Sequence, residues 1–385
     1  MPPIRLGVIG LSTKGWASRL LIPPIFDPLL SSHYKLTALC TTNPSSAQAA
    51  SDKYSKLAGS AVKAYHGDSG AQQLIKDPEV DMVVISVRIP DHLKLALPAI
   101  EEGKDLFIEW SVGNGYKETK EIADAIERKR KEGKGIKCLV GAQAIQSLWS
   151  KKVKELVKEG KIGRVLSSTI ILNGVQAETG MWGPTAYDGT RYVFDVKNGA
   201  TPLTINTAHL LAVVTDIFGS FTSVTGDATI QIPTAEVLDA NDKPTGETLT
   251  KTTPDQYGFT GTLADGTFLT AHVRSGIKLG GEQGKARRQF LWVIDGEEGS
   301  IEVQGLPEHG DRAYATTTLE KKVLLNGVEV PIEGSEIDKL GNTGKAWLEF
   351  AKGGRYTTIE DAVRLHRAVD AIERSIEEGK KITLN

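Results

Sequence analysis

Ile4-Arg5-Leu6-Gly7-Val8-Ile9 runs straight into Gly10-Leu11-Ser12-Thr13-Lys14-Gly15-Trp16, and this passage decides the fold. A short apolar run that stops at a glycine has the length and texture of a strand buried on both faces. The glycines that follow bracket a tight turn into an expected helix, the context in which a Gly-x-Gly-x-x-Gly pattern cradles a pyrophosphate. Here the pattern reads Gly10-x-Ser12-x-x-Gly15, with serine where the second glycine normally lets phosphate approach the backbone. The Ser12 hydroxyl can itself donate to phosphate. A helix start at Trp16 would offer a partial positive end, and Lys14 adds a full charge. A strand-to-helix turn without ligand is the competing reading.

The grammar set by that passage continues outward. Strands are expected at residues 36–41, 82–87, 106–109 and 137–141, separated by helices at 47–58, 69–76, 92–102 and 117–132. Strand–helix alternation of this kind is a doubly wound Rossmann domain, placed at residues 1–145. Beyond it the pattern changes to long strands at 165–172, 223–232, 257–263, 267–274, 288–295 and 300–304, with few helices (150–159, 207–218). Ala264-Asp265-Gly266 and Asn326-Gly327 are hairpin turns in which positive φ is tolerated. Residues 146–385 are therefore expected to form an α+β domain with a large open, mostly antiparallel sheet, ending in a tail helix over 358–378. Thr267, Leu269, Ala271 and Val273 alternate with Phe268, Thr270, His272 and Arg274. One register is apolar enough to suggest sheet-to-sheet pairing into a homodimer or tetramer.

A chain of 385 residues, 40% apolar and 24% charged with net charge −2, reads as a globular protein of two domains. It lacks the concentrated basic face that direct nucleic-acid binding needs. Cys40 and Cys138 sit in apolar runs and read as buried thiols, and the seven histidines show no ligand spacing, so no metal is expected. No apolar run spans a membrane, and a cytoplasmic location is expected. The second strand ends Leu39-Cys40-Thr41-Thr42-Asn43 without an acidic residue to hold ribose hydroxyls. NAD(P) is the expected cofactor, with NADP mildly favoured.

Ser86-Val87-Arg88-Ile89-Pro90-Asp91-His92, then a helix ending Gly103 and a strand into Glu109, resembles the Gfo/Idh/MocA family (glucose–fructose oxidoreductase and inositol dehydrogenase). Gly160-Lys161-Ile162-Gly163-Arg164-Val165 resembles its entry into the second domain, and Gly199 to His209 its segment with the catalytic histidine. Lys14-Gly15-Trp16-Ala17, Glu109-Trp110 and Gly258-Phe259-Thr260-Gly261-Thr262-Leu263 resemble the family's fungal galactose-pathway repressor-like branch. The resemblance implies dinucleotide contacts from Gly10, Ser12, Lys14, Gly15, Trp16, Thr41, Thr42, Ser86, Arg88, His92, Glu109 and Trp110. Gln143 sits where the fold offers a polar side chain to the nicotinamide carboxamide or to substrate.

The family's enzymes carry Glu-Lys-Pro where this chain has Glu109-Trp110-Ser111, and an indole cannot act as a base. Ile205 and Ala212 stand where aspartates are usual, so His209 alone remains of the catalytic set. Tyr187 and Asp188 could restore proton transfer if a neighbouring cation lowered the tyrosine pKa, with Trp182 and Trp110 packed on a sugar face. Three functions follow as expectations. One is an NAD(P)-dependent oxidoreductase of a sugar, polyol or cyclic alcohol or ketone. A second is a non-catalytic dinucleotide-binding regulator with a protein partner, which could be nuclear. The third is a redox reaction such as enone or imine reduction.

Overall fold

The computed structural model of the chain describes residues 2–173, 181–276, 289–305 and 321–384. The chain divides into two compact units, Met1–Gln146 with Ser335–Val363, and Ser147–Gly334 with Arg364–Asn385. Residues 335–363, expected in the second domain, belong to the first.

In the first unit, β1 (Ile4–Ile9), β2 (Tyr34–Thr41), β3 (Lys63–His66), β4 (Met82–Ile85), β5 (Asp105–Ile108) and β6 (Cys138–Val140) form one sheet in the order β3-β2-β1-β4-β5-β6. Every neighbouring pair is parallel. The helices are α1 (Pro44–Ala58), α2 (Gly67–Lys76), α3 (His92–Glu101) and α4 (Tyr116–Lys131). The core strands read as continuous aliphatic runs because both of their faces are covered. β3, a short mostly exposed edge strand of sequence Lys-Ala-Tyr-His, offered no such run and was not expected. Between β1 and β4 the order reverses, which opens the crevice where doubly wound sheets take ligands.

Two findings depart from expectation near β1. The segment after the glycine turn is not a long helix: Ala17–Leu21 is a five-residue π-helix, followed by a short 3-10 turn at Pro23–Phe26. Pro23 and Pro24 lack the N–H groups a helix would need there. So little helix remains that its macrodipole cannot supply the positive end expected for a pyrophosphate. The second finding is a late segment, α7 (Gly341–Lys352), that completes this unit's core. Trp347 is fully buried, its ring 4.8 Å from Phe107 and 5.0 Å from Tyr34. The Tyr34 hydroxyl donates to the Trp347 carbonyl at 2.6 Å, and Trp347 Nε1 donates to the Leu21 carbonyl at 3.1 Å.

The second unit carries α5 (Leu148–Lys158), α6 (Ala208–Phe218) and most of the tail helix α8 (Ile359–Glu378). Its strands are β7 (Val165–Asn173), β8 (Thr185–Tyr187), β9 (Phe221–Thr229), β10 (Thr234–Leu238), β11 (Pro244–Thr250), β12 (Gln256–Leu263), β13 (Phe268–Arg274), β14 (Phe290–Gly296), β15 (Ser300–Gly305), β16 (Lys322–Leu325), β17 (Val328–Glu329) and β18 (Ile382–Thr383). The nine-stranded sheet runs β17-β16-β15-β14-β7-β13-β12-β9-β18, antiparallel except for the β7–β13 pair. The smaller sheet, β11-β10-β8, was not expected: β11 is a polar, mostly exposed strand, and β10 is only five residues long. Arg288, the expected start of one strand, lies outside the described residues, and that strand begins at Phe290.

Leu269, Ala271 and Val273 of β13 are buried, together with Phe290, Trp292 and Ile294 of β14. Trp292 lies edge-on to Trp149 of α5 at 6.3 Å and to Phe218 of α6 at 6.2 Å. The apolar register assigned above to dimerisation is therefore used inside the unit. The outward register is Phe268, which is 50% exposed, with Thr270 and His272. Ile171, Leu291 and Val293 share that outward face and are only half-buried. A fully buried ion pair, Lys251 Nζ to Asp255 Oδ2 at 3.0 Å, also holds the Trp182 carbonyl at 2.7 Å. The backbone amides of Gln231 and Ile232 donate to the Asp255 carboxylate at 3.0 and 2.9 Å.

Candidate functional site

The glycine turn follows β1 into the crevice. Gly10 has φ +99°, and a Cβ placed there would lie 2.0 Å from the Ser86 carbonyl oxygen. No other residue fits, because β1 and β4 are held edge to edge by the Ser86 amide on the Ile9 carbonyl at 3.0 Å. Ser86, one of the residues expected at the dinucleotide, thus meets the turn through its backbone. Gly15 likewise has φ +103°. The Ser12 hydroxyl donates to the Lys14 carbonyl and accepts from the Lys14 amide at 3.3 Å, so it shapes the turn from within. The Lys14 and Arg88 side chains are exposed.

At the end of β2, Thr41 is buried and donates to the Asn43 carbonyl at 3.2 Å. Thr42 is exposed, and the Asn43 side chain caps α1 by accepting from the Ser46 amide at 2.9 Å. Residues 41–43 bring no carboxylate to this corner. A lysine that the motif reading missed, Lys53 of α1, donates to the Thr13 carbonyl at 3.3 Å and so braces the turn. Its place in the middle of a helix carried no local signal.

Trp16 and Glu109 meet, as two separated motif residues: Trp16 Nε1 donates to Glu109 Oε1 at 2.9 Å. The Trp110 amide donates to Glu109 Oε2 at 3.3 Å. Gly141, at the end of β6, makes room, since a Cβ there would stand 2.3 Å from Glu109 Oε2. Burial pushes the Glu109 carboxyl up to about 7, against the two N–H donors that favour its charged form. Trp110 is 7% exposed and is joined to Ser111 by a cis peptide.

His92 is a scaffold residue in this structure. Fully buried, its ring nitrogens lie 2.8 Å from the Ser111 carbonyl and 3.1 Å from the Val87 carbonyl, tying the loop after β4 to the segment after β5. Gln143 is 5% exposed, and its amide Nε2 reaches Thr343 Oγ1 at 3.4 Å. Its carbonyl Oε1 is buried with no hydrogen-bond partner among the described residues.

The second unit holds the remaining candidates. His209 sits in the first turn of α6, and burial pushes its imidazole down to about 4, so the ring is neutral at ordinary pH. Tyr187 and Asp188 are arranged against the role expected for them. The Tyr187 hydroxyl donates to Asp242 Oδ1 at 2.7 Å, and this carboxylate raises the phenol pKa where a cation would have lowered it. The Asp188 side chain is 97% exposed and pairs with Arg191 at 3.1 Å. Trp182, expected as a wall for sugar, is fully buried at φ +57°, its Nε1 donating to the Ala200 carbonyl at 2.8 Å. Among the described residues no group of three or more His, Cys, Asp or Glu side chains is placed to hold a metal ion. No helix among them is long and apolar enough to cross a membrane.

Two family models match in tandem. An oxidoreductase family with an NAD-binding Rossmann fold covers residues 4–132, and the C-terminal domain of Gal80p covers residues 150–305. Dehydrogenase aclE of Aspergillus oryzae is 28% identical over 382 residues, 98% of this chain and 97% of its own. The galactose/lactose metabolism regulatory protein GAL80 of Saccharomyces cerevisiae is 24% identical over 394 residues, 99% of this chain and 84% of its own. The crystal structure of a super-repressor mutant of Gal80p from Saccharomyces cerevisiae matches in fold with a TM-score of 0.82. It is 22% identical, covering 99% of this chain and 98% of that one.

Proposed function

The chain belongs to the Gfo/Idh/MocA oxidoreductase family, near its Gal80-like branch, and from that premise we propose that it binds a nicotinamide dinucleotide at the glycine turn and uses it to oxidise or reduce a sugar, polyol or related cyclic alcohol or ketone. The observation that carries this reading is the crevice at Gly10. A glycine whose Cβ would stand 2.0 Å from a neighbouring carbonyl oxygen, with a second positive-φ glycine beyond it, is a turn built for close backbone approach. Gln143 supports it, because a buried, unpartnered amide oxygen is an acceptor waiting for an N–H donor such as a carboxamide. The corner at Thr41-Thr42-Asn43 carries no carboxylate to repel a 2′-phosphate, which mildly favours NADP.

A bound nicotinamide would supply the hydride acceptor or donor. The residues must then manage one proton. Trp110 cannot take it, while neutral His209 can accept the proton of a substrate hydroxyl. With its imidazole depressed to about 4 it is a weak base, so proton removal is expected to limit alcohol oxidation. Tyr187 and Asp188 are left out of this scheme because their partners are Asp242 and Arg191.

A second reading is favoured by one observation: a buried indole stands in place of the family lysine, in a chain whose second half matches the Gal80p C-terminal domain. In that reading the protein is a non-catalytic dinucleotide-dependent regulator with a protein partner, and a nuclear location replaces the cytoplasmic one. Under either reading we expect a homodimer or tetramer formed through the outward face of the nine-stranded sheet. Light scattering that gives a monomer across the micromolar range would sink the oligomer. The two functions separate on turnover with NAD or NADP against sugars, polyols and cyclic ketones, in both redox directions. Turnover that is lost in His209→Ala supports the enzyme, and tight dinucleotide binding without turnover supports the regulator.

A further inference from the structure

Glu109 directly follows β5 at the carboxyl edge of the parallel sheet, the edge at which open α/β sheets take ligands. Its two carboxyl oxygens accept from Trp16 Nε1 and the Trp110 amide, and Gly141 leaves the space they occupy. No ion pair reaches Glu109 among the described residues. The ionisable groups on the surrounding elements are all engaged elsewhere or face solvent. On the glycine turn, Lys14 is exposed and Arg19 donates to the Gly15 carbonyl at 3.2 Å. Beyond β4, Arg88 is exposed, His92 faces two backbone carbonyls, and Lys94 of α3 pairs with Asp91 at 2.8 Å. The end of β6 contributes Gly141, Ala142 and Gln143, none of them charged.

A buried carboxyl without a cation, hydrogen-bonded to the turn that would receive a pyrophosphate, is an unusual neighbour for an anion. We propose that Glu109 takes up one proton when the anionic pyrophosphate of a dinucleotide settles on the glycine turn to which Trp16 ties it. The inference rests on the dinucleotide reading above and adds a proton to it. Charge is the reason: an ionised Glu109 and a pyrophosphate repel across a poorly hydrated crevice, whereas the neutral acid keeps a carbonyl oxygen for Trp16 Nε1 and adds no charge. The carboxyl is already poised for this, since burial sets its titration near neutrality in the empty protein. The pyrophosphate raises that value further. Affinity is therefore highest below the empty-protein value and falls as pH rises through it, by up to about tenfold per pH unit for one linked proton.

The test uses the full chain and ADP-ribose, whose pyrophosphate does not titrate near neutrality and which has no nicotinamide charge. Binding is measured calorimetrically from slightly acidic to alkaline pH in buffers of different ionisation enthalpy, with NADH as a second probe. Uptake of nearly one proton above neutrality, with Kd weakening several-fold per pH unit, supports the inference. Glu109→Gln, which keeps an oxygen for Trp16, should then bind with a flat pH profile and no proton uptake. Pairing without proton exchange in the unaltered chain overturns it, as does an unchanged pH profile in Glu109→Gln, which would place the proton elsewhere. Failure of both probes to bind at any pH would instead remove the dinucleotide reading itself, and the linkage with it.

Discussion

Replacing Gly10 by alanine is the sharpest structural test of the turn. Two costs add. The first is conformational, because φ +99° lies in the region an L side chain rarely adopts, at about 1–2 kcal/mol. The second is steric: the new Cβ would stand 2.0 Å from the Ser86 oxygen and 3.1 Å from Val87 Cγ1. Both neighbours belong to the segment leaving β4, and the nearer is backbone that is itself bonded to β1, so it cannot swing aside as a flexible side chain would. Overpacking of this kind costs about 1–3 kcal/mol. The sum is about 2–5 kcal/mol, a drop of about 5–20 °C in Tm for a unit of this size. Gly59→Ala is the control, since Gly59 has φ +63° and nothing within 4 Å of the added Cβ. It should lose only the conformational part. Thermal unfolding followed by tryptophan fluorescence measures both variants, and ADP-ribose titration of whatever remains folded measures the site. Gly10→Ala no less stable than Gly59→Ala, with binding intact, would refute the close approach of β1 and β4.

Glu109→Gln should match the unaltered chain in stability at about pH 4 and exceed it by about 3 kcal/mol at about pH 8. The folded carboxyl is raised from 4.5 to about 7, so its contribution favours folding at low pH and is lost as pH rises through that value, at about 1.4 kcal/mol per unit. Urea midpoints at the two pH values check the sign, and a gap that opens toward acid would contradict the burial. Asp255→Ala should cost about 3–5 kcal/mol by leaving Lys251 charged and unpaired in a site where both side chains are fully buried. Denaturant unfolding reads it, and a loss under 1 kcal/mol would mean water enters there. Tyr187→Phe should leave any turnover within about twofold, since that phenol is committed to Asp242, whereas the loss of an acting acid or base costs about a hundredfold or more.

The parallel sheet was legible because β1, β2, β4 and β5 are buried on both faces and so spell themselves as aliphatic runs. The hairpin turns were legible because Asn326 and Gly327, with φ +52° and +80°, must tolerate the left-handed region. What escaped depends on contacts between distant residues. Nothing in Gly341–Lys352 announces that Trp347 will stack on Phe107 of the other end of the chain. Polar β11 pairs with the short strand β10 without an apolar alternation of its own to betray it. The site was half legible in the same sense. Gly10, Trp16, Glu109 and Gln143 were found by motif position, and Trp16 and Glu109 do meet. Their chemistry was not, because the state of Glu109 is set by its burial among segments distant in sequence, Gly141 included. In sequence, Trp182 reads as a wall for sugar, and Tyr187 and Asp188 as a pair that could move a proton. Partners supplied by other segments (Ala200, Asp242, Arg191) turn them into structural residues.

The most direct measurement of the central claim is titration of the purified chain with NAD and NADP in both redox states, following tryptophan quenching and nicotinamide absorbance together with a sugar and polyol panel. The account predicts saturable quenching, from Trp16 and Trp110 beside the turn, and substrate-dependent nicotinamide redox change that His209→Ala abolishes. Absence of quenching and of turnover with every dinucleotide would contradict it and leave the glycine turn as scaffold alone.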